Sequence, residues 1–325
     1  MNSFDPSSVS VRSAHFIGGL YRRGEPGLEV SRPSDGQAYA QLPIADAALV
    51  DEAVDNAWQA FRQSDWASRP PRERCRVLRR WAELIEADAA TLAPLESVGS
   101  TRPHKDVLAW DIPYVAEVLR FFAELADKHG GQVAATQHDR LGMQIAEPYG
   151  VIGAIAPWNF PLSMANWKVA PALAAGNAVV LKPSELTPFS ALRYAELAVQ
   201  AGLPPGIFNV VQGDGRLTGD ALCRHPRISK VTFTGSTATG SSIMAACATH
   251  GPKPVTLELG GKSPQLVFAD IPDLHKTARS VAMAITGNAG QVCVSGSRLI
   301  IERSILEPFV ECLLGHFREL RPGPT

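Results

Sequence analysis

Residues 151–185 read VIGAIAPWNFPLSMANWKVAPALAAGNAVVLKPSE. Two short apolar runs, VIGAIAP and AVVLKP, bracket the helical stretch SMANWKVAPALAAG. Neither run alternates with polar residues, so each suits a strand buried on both faces, and a helix between two such strands makes their pairing parallel. The pattern continues with a helix after Thr187, then IFNVV (207–211), another helix, KVTFTG (230–235), STATGSSIMAACA (236–248) and VTLELGG (255–261). Strands alternating with helices predict an α/β fold, a doubly wound parallel sheet with helices on both faces. Ligands of such sheets bind at the carboxyl ends of the strands, which here carry PWNF, KPSE, FTGST and ELGG.

Upstream, the first third reads as helices. Asp46 suits an N-cap, and Leu49, Val50, Ala53, Val54, Ala57, Ala60 and Phe61 form a helical stripe. A second helix starts at Pro70–Pro71 and buries Val77, Leu78, Trp81, Leu84 and Ile85. A third runs from about Ile112 to Lys128, where the sequence HGG ends it. Residues 132–147 change period: Leu141, Met143 and Ile145 alternate with Gly142 and Gln144, and QHD (137–139) supplies a turn, which predicts a hairpin with one apolar face. Downstream of the sheet come a strand QLVFA, a helix through about Ala289, a cysteine-bearing loop, a strand SRLIIE and a last helix to about Leu320.

The 325 residues are 45% hydrophobic and 19% charged, with a formal net charge of -1. This is the composition of an ordinary globular protein and gives no electrostatic reason to expect nucleic acid or a membrane surface. The basic cluster PRERCRVLRR suits the solvated side of an amphipathic helix. No apolar run is long enough to span a bilayer and the N-terminus lacks signal-peptide order, so a cytoplasmic location is expected. Five cysteines without a CxxC pair, and eight histidines without HxH or HExxH spacing, indicate neither a disulfide framework nor a metal site.

Three residues stand out chemically. Cys293 sits in GQVCVSG, a glycine-bounded loop where a thiol can stay accessible; the alternative is inert packing. Glu258 is the carboxylate within the apolar VTLELGG, either hydrogen-bonded at a strand end or tuned as a general base by burial. Asn159, between Trp158 and Phe160, is either a turn former or an amide donor to an oxyanion. In VTFTGSTATG, Gly235 and Ser236 fall at a strand-to-helix turn suited to a phosphate, although GxxxxG is not the usual dinucleotide fingerprint. Lys182 and Glu185 in LKPSE are either a surface ion pair or the holders of a ribose.

Taken in order, DIPYVAEVLRFFAELADK, EPYGVIGAIAPWNFPL, KPSELTP, FTGST, LELGGKSP and GQVCVSGSR resemble the NAD(P)-dependent aldehyde dehydrogenase superfamily across nearly the whole chain. The resemblance implies that Cys293 is the nucleophile, Glu258 the base, Asn159 an oxyanion donor and Lys168 a supporting polar residue. It gives Pro157, Trp158, Lys182, Glu185, Gly235 and Ser236 to the cofactor, NAD in preference to NADP, and Phe160, Met164 and Trp167 to an aldehyde channel. It implies a dinucleotide-binding domain (1–131 and 148–260), an oligomerisation-type hairpin (132–147) and part of a catalytic domain (261–325), with no metal. The expected reaction is oxidation of an aldehyde to a carboxylic acid through a cysteine thiohemiacetal and thioester. A noncatalytic fragment retaining at most nucleotide binding, and a cofactor-independent thiol esterase, are the alternatives. Glu258 argues against the coenzyme-A-acylating branch, because it can serve hydrolysis.

Members of this superfamily continue through a motif like EIFGP and a final strand that pairs with a neighbouring subunit, and neither is present here. The resemblance therefore implies a C-terminally truncated member, with a compromised homo-oligomer, poor solubility and little dehydrogenase activity.

Overall fold

The computed structural model describes residues 4–100, 102–321 and 323. Its elements divide into two compact units, 1–257 and 258–325.

The first unit opens with strands, a correction to the helical reading of this region. Strands β1 (His15–Ile17), β2 (Leu20–Arg22), β3 (Pro26–Ser31) and β4 (Ala38–Pro43) form two antiparallel hairpins. Three-residue strands are too short to show a period. The first turn is nonetheless written in the sequence, because Gly18 and Gly19 both have positive φ (63° and 81°) and join the paired Ile17 and Leu20. Two left-handed residues make the two-residue turn whose twist matches that of paired strands.

Helix α1 (Ala47–Gln63) is capped as expected, Asp46 accepting from Leu49 N. Helix α2 (Pro71–Ala87) buries Leu78, Trp81 and Ile85 completely, whereas Val77 and Leu84 are half-buried. Most of its arginines face solvent, but Arg74 is buried and donates to Ala174 O at 3.0 Å. Helix α3 (Ala89–Gly99), short helix α4 (His104–Asp106) and a wide π-turn at Val107–Asp111 were not legible in the sequence. They lead into α5 (Ile112–Leu125), which ends before Lys128. The hairpin is present as β5 (Gln132–Ala134) and β6 (Gly142–Gln144), with Val133 opposite Met143. Its apolar side, Val133, Leu141, Met143 and Ile145, is exposed.

The sheet follows from residue 151 onward. Strands β7 (Val151–Ile155) and β8 (Ala178–Lys182) are buried along their whole length. Between them runs α6 (Pro161–Ala174); α7 (Ser190–Gln200) leads to β9 (Phe208–Val210). A π-turn at Gly215–Gly219 and α8 (Asp220–Arg224) precede β10 (Ile228–Gly235), α9 (Thr237–Thr249) and β11 (Val255–Leu259). The strand order is β11-β10-β7-β8-β9-β1-β2. Strands β10, β7, β8 and β9 are mutually parallel, and β1 adds antiparallel to β9 through Phe16 and Val210. The core is thus an α/β doubly wound parallel sheet with an antiparallel hairpin at one edge. Strand β11 is the other edge, and its residues alternate between half-buried and exposed.

The second unit is a β-α-β crossover with an added helix: β12 (Pro264–Val267), α10 (Leu274–Thr286), β13 (Arg298–Ile301) and α11 (Leu306–Glu319), with β12 parallel to β13. Val267, Ala278, Val281, Ala282, Phe309 and Leu313 form its core. Helix α10 stops short of Ala289, because Asn288 and Ala289 adopt left-handed φ (49° and 54°). Among the described residues, no helix is long and apolar enough to cross a membrane.

Candidate active site

The chain runs outward from β7 to β8 to β9, then returns to the far side of β7 to form β10. That reversal opens a crevice at the carboxyl ends of β7 and β10, the usual ligand position in doubly wound sheets. The register is level there, since Ile155 pairs with both Lys182 and Phe233. Three predicted segments therefore emerge side by side from β10, β7 and β8.

After β7, Pro157 is buried, Trp158 is exposed, and Asn159 and Phe160 are half-buried before α6 begins at Pro161. Lys182 ends β8, is buried, and pairs with the half-exposed Glu185 at 2.8 Å. Gly235 ends β10, and Ser236 caps α9 by accepting from Thr239 N at 3.2 Å. The first-turn N–H groups and helix dipole of α9 thus face the crevice end of the sheet, an arrangement that favours an anion. From α6, Lys168 reaches β10 and donates to Thr234 Oγ1 at 2.6 Å, next to Gly235. A small slot of about 100 Å³ adjoins α9, lined by Ile155, Gly215, Gly219, Phe233, Thr239 and Ile243.

Sequence reasoning missed the groups that hold the Asn159 segment. Glu96 on α3 is buried; one carboxylate oxygen accepts from Leu162 N at 2.9 Å and the other from Ser190 Oγ at 2.6 Å. Burial pushes its pKa up to about 7, opposed by those two hydrogen bonds; nearby Asp111 adds to the rise and Arg102 lessens it. Arg102 makes a two-pronged pair with Asp111 (2.8 and 2.9 Å), and its guanidinium lies 5.0 Å from the Phe160 ring centre. Burial raises the Asp111 carboxyl, and Arg102 pulls it back. The available signal was a lone carboxylate in the apolar run LAPLESVG, the same kind of signal that singled out Glu258.

Phe160, Met164 and Trp167 have the spacing of one helical face, with Met164 half-buried and Trp167 exposed. Trp167 Nε1 donates to Tyr114 OH at 2.9 Å, and Phe122 meets the indole edge-to-face. An open cleft of about 750 Å³ is lined by Phe122, Leu125, Trp167, Lys168, Lys230 and Thr232. Of the three residues expected in an aldehyde channel, only Trp167 lines it.

Cys293 and Glu258 belong to the second unit. Cys293 lies half-exposed in a turn after the left-handed residues Asn288, Ala289 and Gly290. Alanine in that conformation costs on the order of 1 kcal/mol, and such strain concentrates at functional loops. The end of β11 backs onto this turn: a Cβ on Gly261 would sit 3.2 Å from Cys293 O. Glu258 itself is exposed, a correction to its expected burial, because alternate residues of an edge strand face solvent. Cys223 and Cys247 are buried, and burial pushes the Cys223 thiol up to about 12, so these two are packing residues.

The sequence model of the aldehyde dehydrogenase family matches residues 21–325. The chain belongs to the aldehyde dehydrogenase family. It is 42% identical over 318 residues to the NADP/NAD-dependent aldehyde dehydrogenase PuuC of Escherichia coli, covering 97% of this chain and 64% of that one. It is 43% identical over 324 residues to the phenylacetaldehyde dehydrogenase of Pseudomonas fluorescens, covering 96% and 64%. Among solved family members, an indole-3-acetaldehyde dehydrogenase complexed with NAD+ superposes with a TM-score of 0.94 at 42% identity, covering 98% of this chain and 65% of its own. KauB of Pseudomonas aeruginosa superposes with a TM-score of 0.94 at 41% identity, covering 97% and 64%. The chain thus spans 64% of the length of these two curated family relatives.

Proposed function

We propose that the protein serves NAD-dependent oxidation of an aldehyde to a carboxylic acid, with the first unit binding the dinucleotide and the second carrying the catalytic thiol. The observation that carries this reading is the crevice between β7 and β10, flanked by the Ser236-capped end of α9 and, at the neighbouring strand end, by the Lys182–Glu185 pair. These residues fit a dinucleotide. The helix end with Gly235 suits a pyrophosphate, an ammonium and a carboxylate together suit ribose hydroxyls, and the slot beside α9 suits a flat ring. Pro157 and Trp158 flank the same crevice. The names of the relatives, which carry NADP, NAD and aldehydes, point the same way.

Each chain residue then has a role. Cys293 thiolate adds to the aldehyde carbon, forming a thiohemiacetal whose oxyanion the Cys293 N–H serves as a donor. The family resemblance gives Asn159 the role of an amide donor to such an oxyanion. NAD+, when bound, would supply the acceptor for the hydride that leaves the adduct carbon, and the acyl group then remains on Cys293 as a thioester. Glu258 takes a proton from water, whose oxygen attacks the thioester and releases the acid and the thiolate. Lys168, through Thr234, steadies the end of β10. Phe160, Met164 and Trp167 offer an apolar face to an aromatic or aliphatic aldehyde. The exposed apolar side of the β5–β6 hairpin is a surface for assembly with further copies, and the protein works in the cytoplasm.

Calorimetric titration of the 325-residue chain with NAD+, followed by an NADH-production assay over aliphatic and aromatic aldehydes, tests the reading. Binding of NAD+ supports it. A folded sample that binds no dinucleotide, or hydrolyses esters equally with and without NAD+, overturns it.

Two further results are expected. A carboxylate beside the ribose accepts from free hydroxyls but repels a 2′-phosphate, so Glu185→Gln should narrow the preference for NAD over NADP by about tenfold in competitive binding. Glu258→Gln should spare the first turnover and slow the steady state, because hydride removal precedes the hydrolysis that Glu258 serves. Rapid-mixing measurement of NADH shows which phase is lost.

A further inference from the structure

Helix α11 carries Cys312 and His316 one turn apart, and His275 stands in the first turn of α10. Cys312 Sγ lies 2.9 Å from His275 Nδ1 and 4.0 Å from His316 Nε2. One ligand atom from each of the three falls within 4.8 Å of the others. His275 is exposed and the other two are half-exposed, so an ion can reach them from solvent. The helices that carry them are held together by a common core of Ala278, Val281, Ala282, Phe309 and Leu313. Glu311 and Glu319 line the same concavity. A second group, Asp51, Asp55 and His225, is held in ion pairs, His225 with Asp51 and Asp55 with Arg227, whereas the first is linked by hydrogen-bond contacts alone, His316 Nε2 lying 3.3 Å from His275 O.

We propose that His275, Cys312 and His316 form a binding site for a divalent transition metal, zinc best of all. One thiolate and two imidazoles are a borderline-soft donor set that zinc takes in tetrahedral geometry, leaving the fourth position to water or to a carboxylate such as Glu319. With zinc–sulfur and zinc–nitrogen bonds of about 2.3 and 2.0 Å, a tetrahedral site sets its sulfur and nitrogen atoms about 3.5 Å apart. The observed separations of 2.9 and 4.0 Å straddle that value, so small rotations of the side chains complete the site. Cysteine must give up its proton to bind, so metal uptake releases a proton and weakens as pH falls. The ion ties α10 to α11, and α10 leads directly into the Cys293 loop.

Cobalt titration of the reduced, metal-free 325-residue protein tests the proposal. One equivalent of Co2+ should give the near-ultraviolet thiolate charge-transfer band and the intense visible bands of a tetrahedral ion, and Zn2+ should displace them. Cys312→Ser should abolish the charge-transfer band, whereas Cys293→Ala should keep it. Altering an outer partner of a metal ligand already weakens binding by about 10–100-fold, so loss of a ligand in His275→Gln should weaken Zn2+ by at least about 100-fold. Circular dichroism and melting without metal should match the parent, since His275 is exposed and its loss removes no core contact. A parent protein without the band, or a Cys312→Ser protein that retains it, overturns the assignment.

Discussion

Cys293→Ala is expected to lower NAD-dependent aldehyde oxidation by at least about 10⁴-fold while leaving NAD+ affinity within about twofold. In the proposed mechanism the thiol contributes the bond that holds the aldehyde carbon, and no other group in GQVCVSG is a nucleophile of comparable strength. The segments to which dinucleotide binding is proposed, at the ends of β7, β8 and β10, belong to the other unit, so the affinity is expected to stay. A second measurement is independent of turnover. Mass spectrometry after exposure to an α,β-unsaturated aldehyde should find the parent labelled at the Cys293 peptide and the variant unlabelled there, while buried Cys223 and Cys247 stay unmodified in both. Equal turnover by parent and variant, or labelling concentrated at another cysteine, would remove Cys293 from the mechanism.

Glu96 governs the other large effect, on stability. Glu96→Ala leaves two buried donors, Leu162 N and Ser190 Oγ, without their acceptor. Each orphaned donor costs about 1–3 kcal/mol, so the variant should lose about 2–6 kcal/mol by urea unfolding. Glu96→Gln keeps an acceptor for Leu162 N and should lose far less. The two also separate in their pH dependence. The folded-state pKa of Glu96 is raised from 4.5 to about 7, so the fold holds its proton more tightly than the unfolded chain does. Its contribution is therefore fully present below pH 4.5 and is lost as pH rises through about 7. The gap amounts to about 3 kcal/mol as an order of magnitude. Unfolding curves from pH 4.5 to 8 should show the parent losing that much more stability than Glu96→Gln. Parallel curves would mean that Glu96 is ionised throughout. Because Glu96 grips the residue two places into α6, the Ala variant should also loosen the Asn159 turn, raising KM and lowering kcat together in any aldehyde turnover.

The family was legible because its segments stand at strand ends, and buried parallel strands announce themselves through uninterrupted apolar runs such as Val151–Ile155 and Ala178–Lys182. Helix caps were equally plain at Asp46, where one side chain and one N–H suffice. The hairpin at 132–144 followed from strict alternation, even though the face it predicted is bare.

What the sequence by itself determined, then, was whatever depends on neighbours within a turn or two: period, caps, breaks, and the identity of the residues that close each strand. Only the tertiary structure decided the rest. It added His15–Ile17 to the sheet edge through Phe16 and Val210, far apart in the chain. It set Glu96 of α3 against the start of α6, and it turned Glu258 outward on an edge strand that the apolar pattern had suggested was buried. It also gathered His275 to Cys312 across 37 residues that show no ligand spacing. The physical reason is common to all four. Local conformation is chosen by dihedral preference and short-range hydrogen bonds, whereas these placements depend on which surfaces meet once the helices cover the sheet, and no window of the sequence contains both partners.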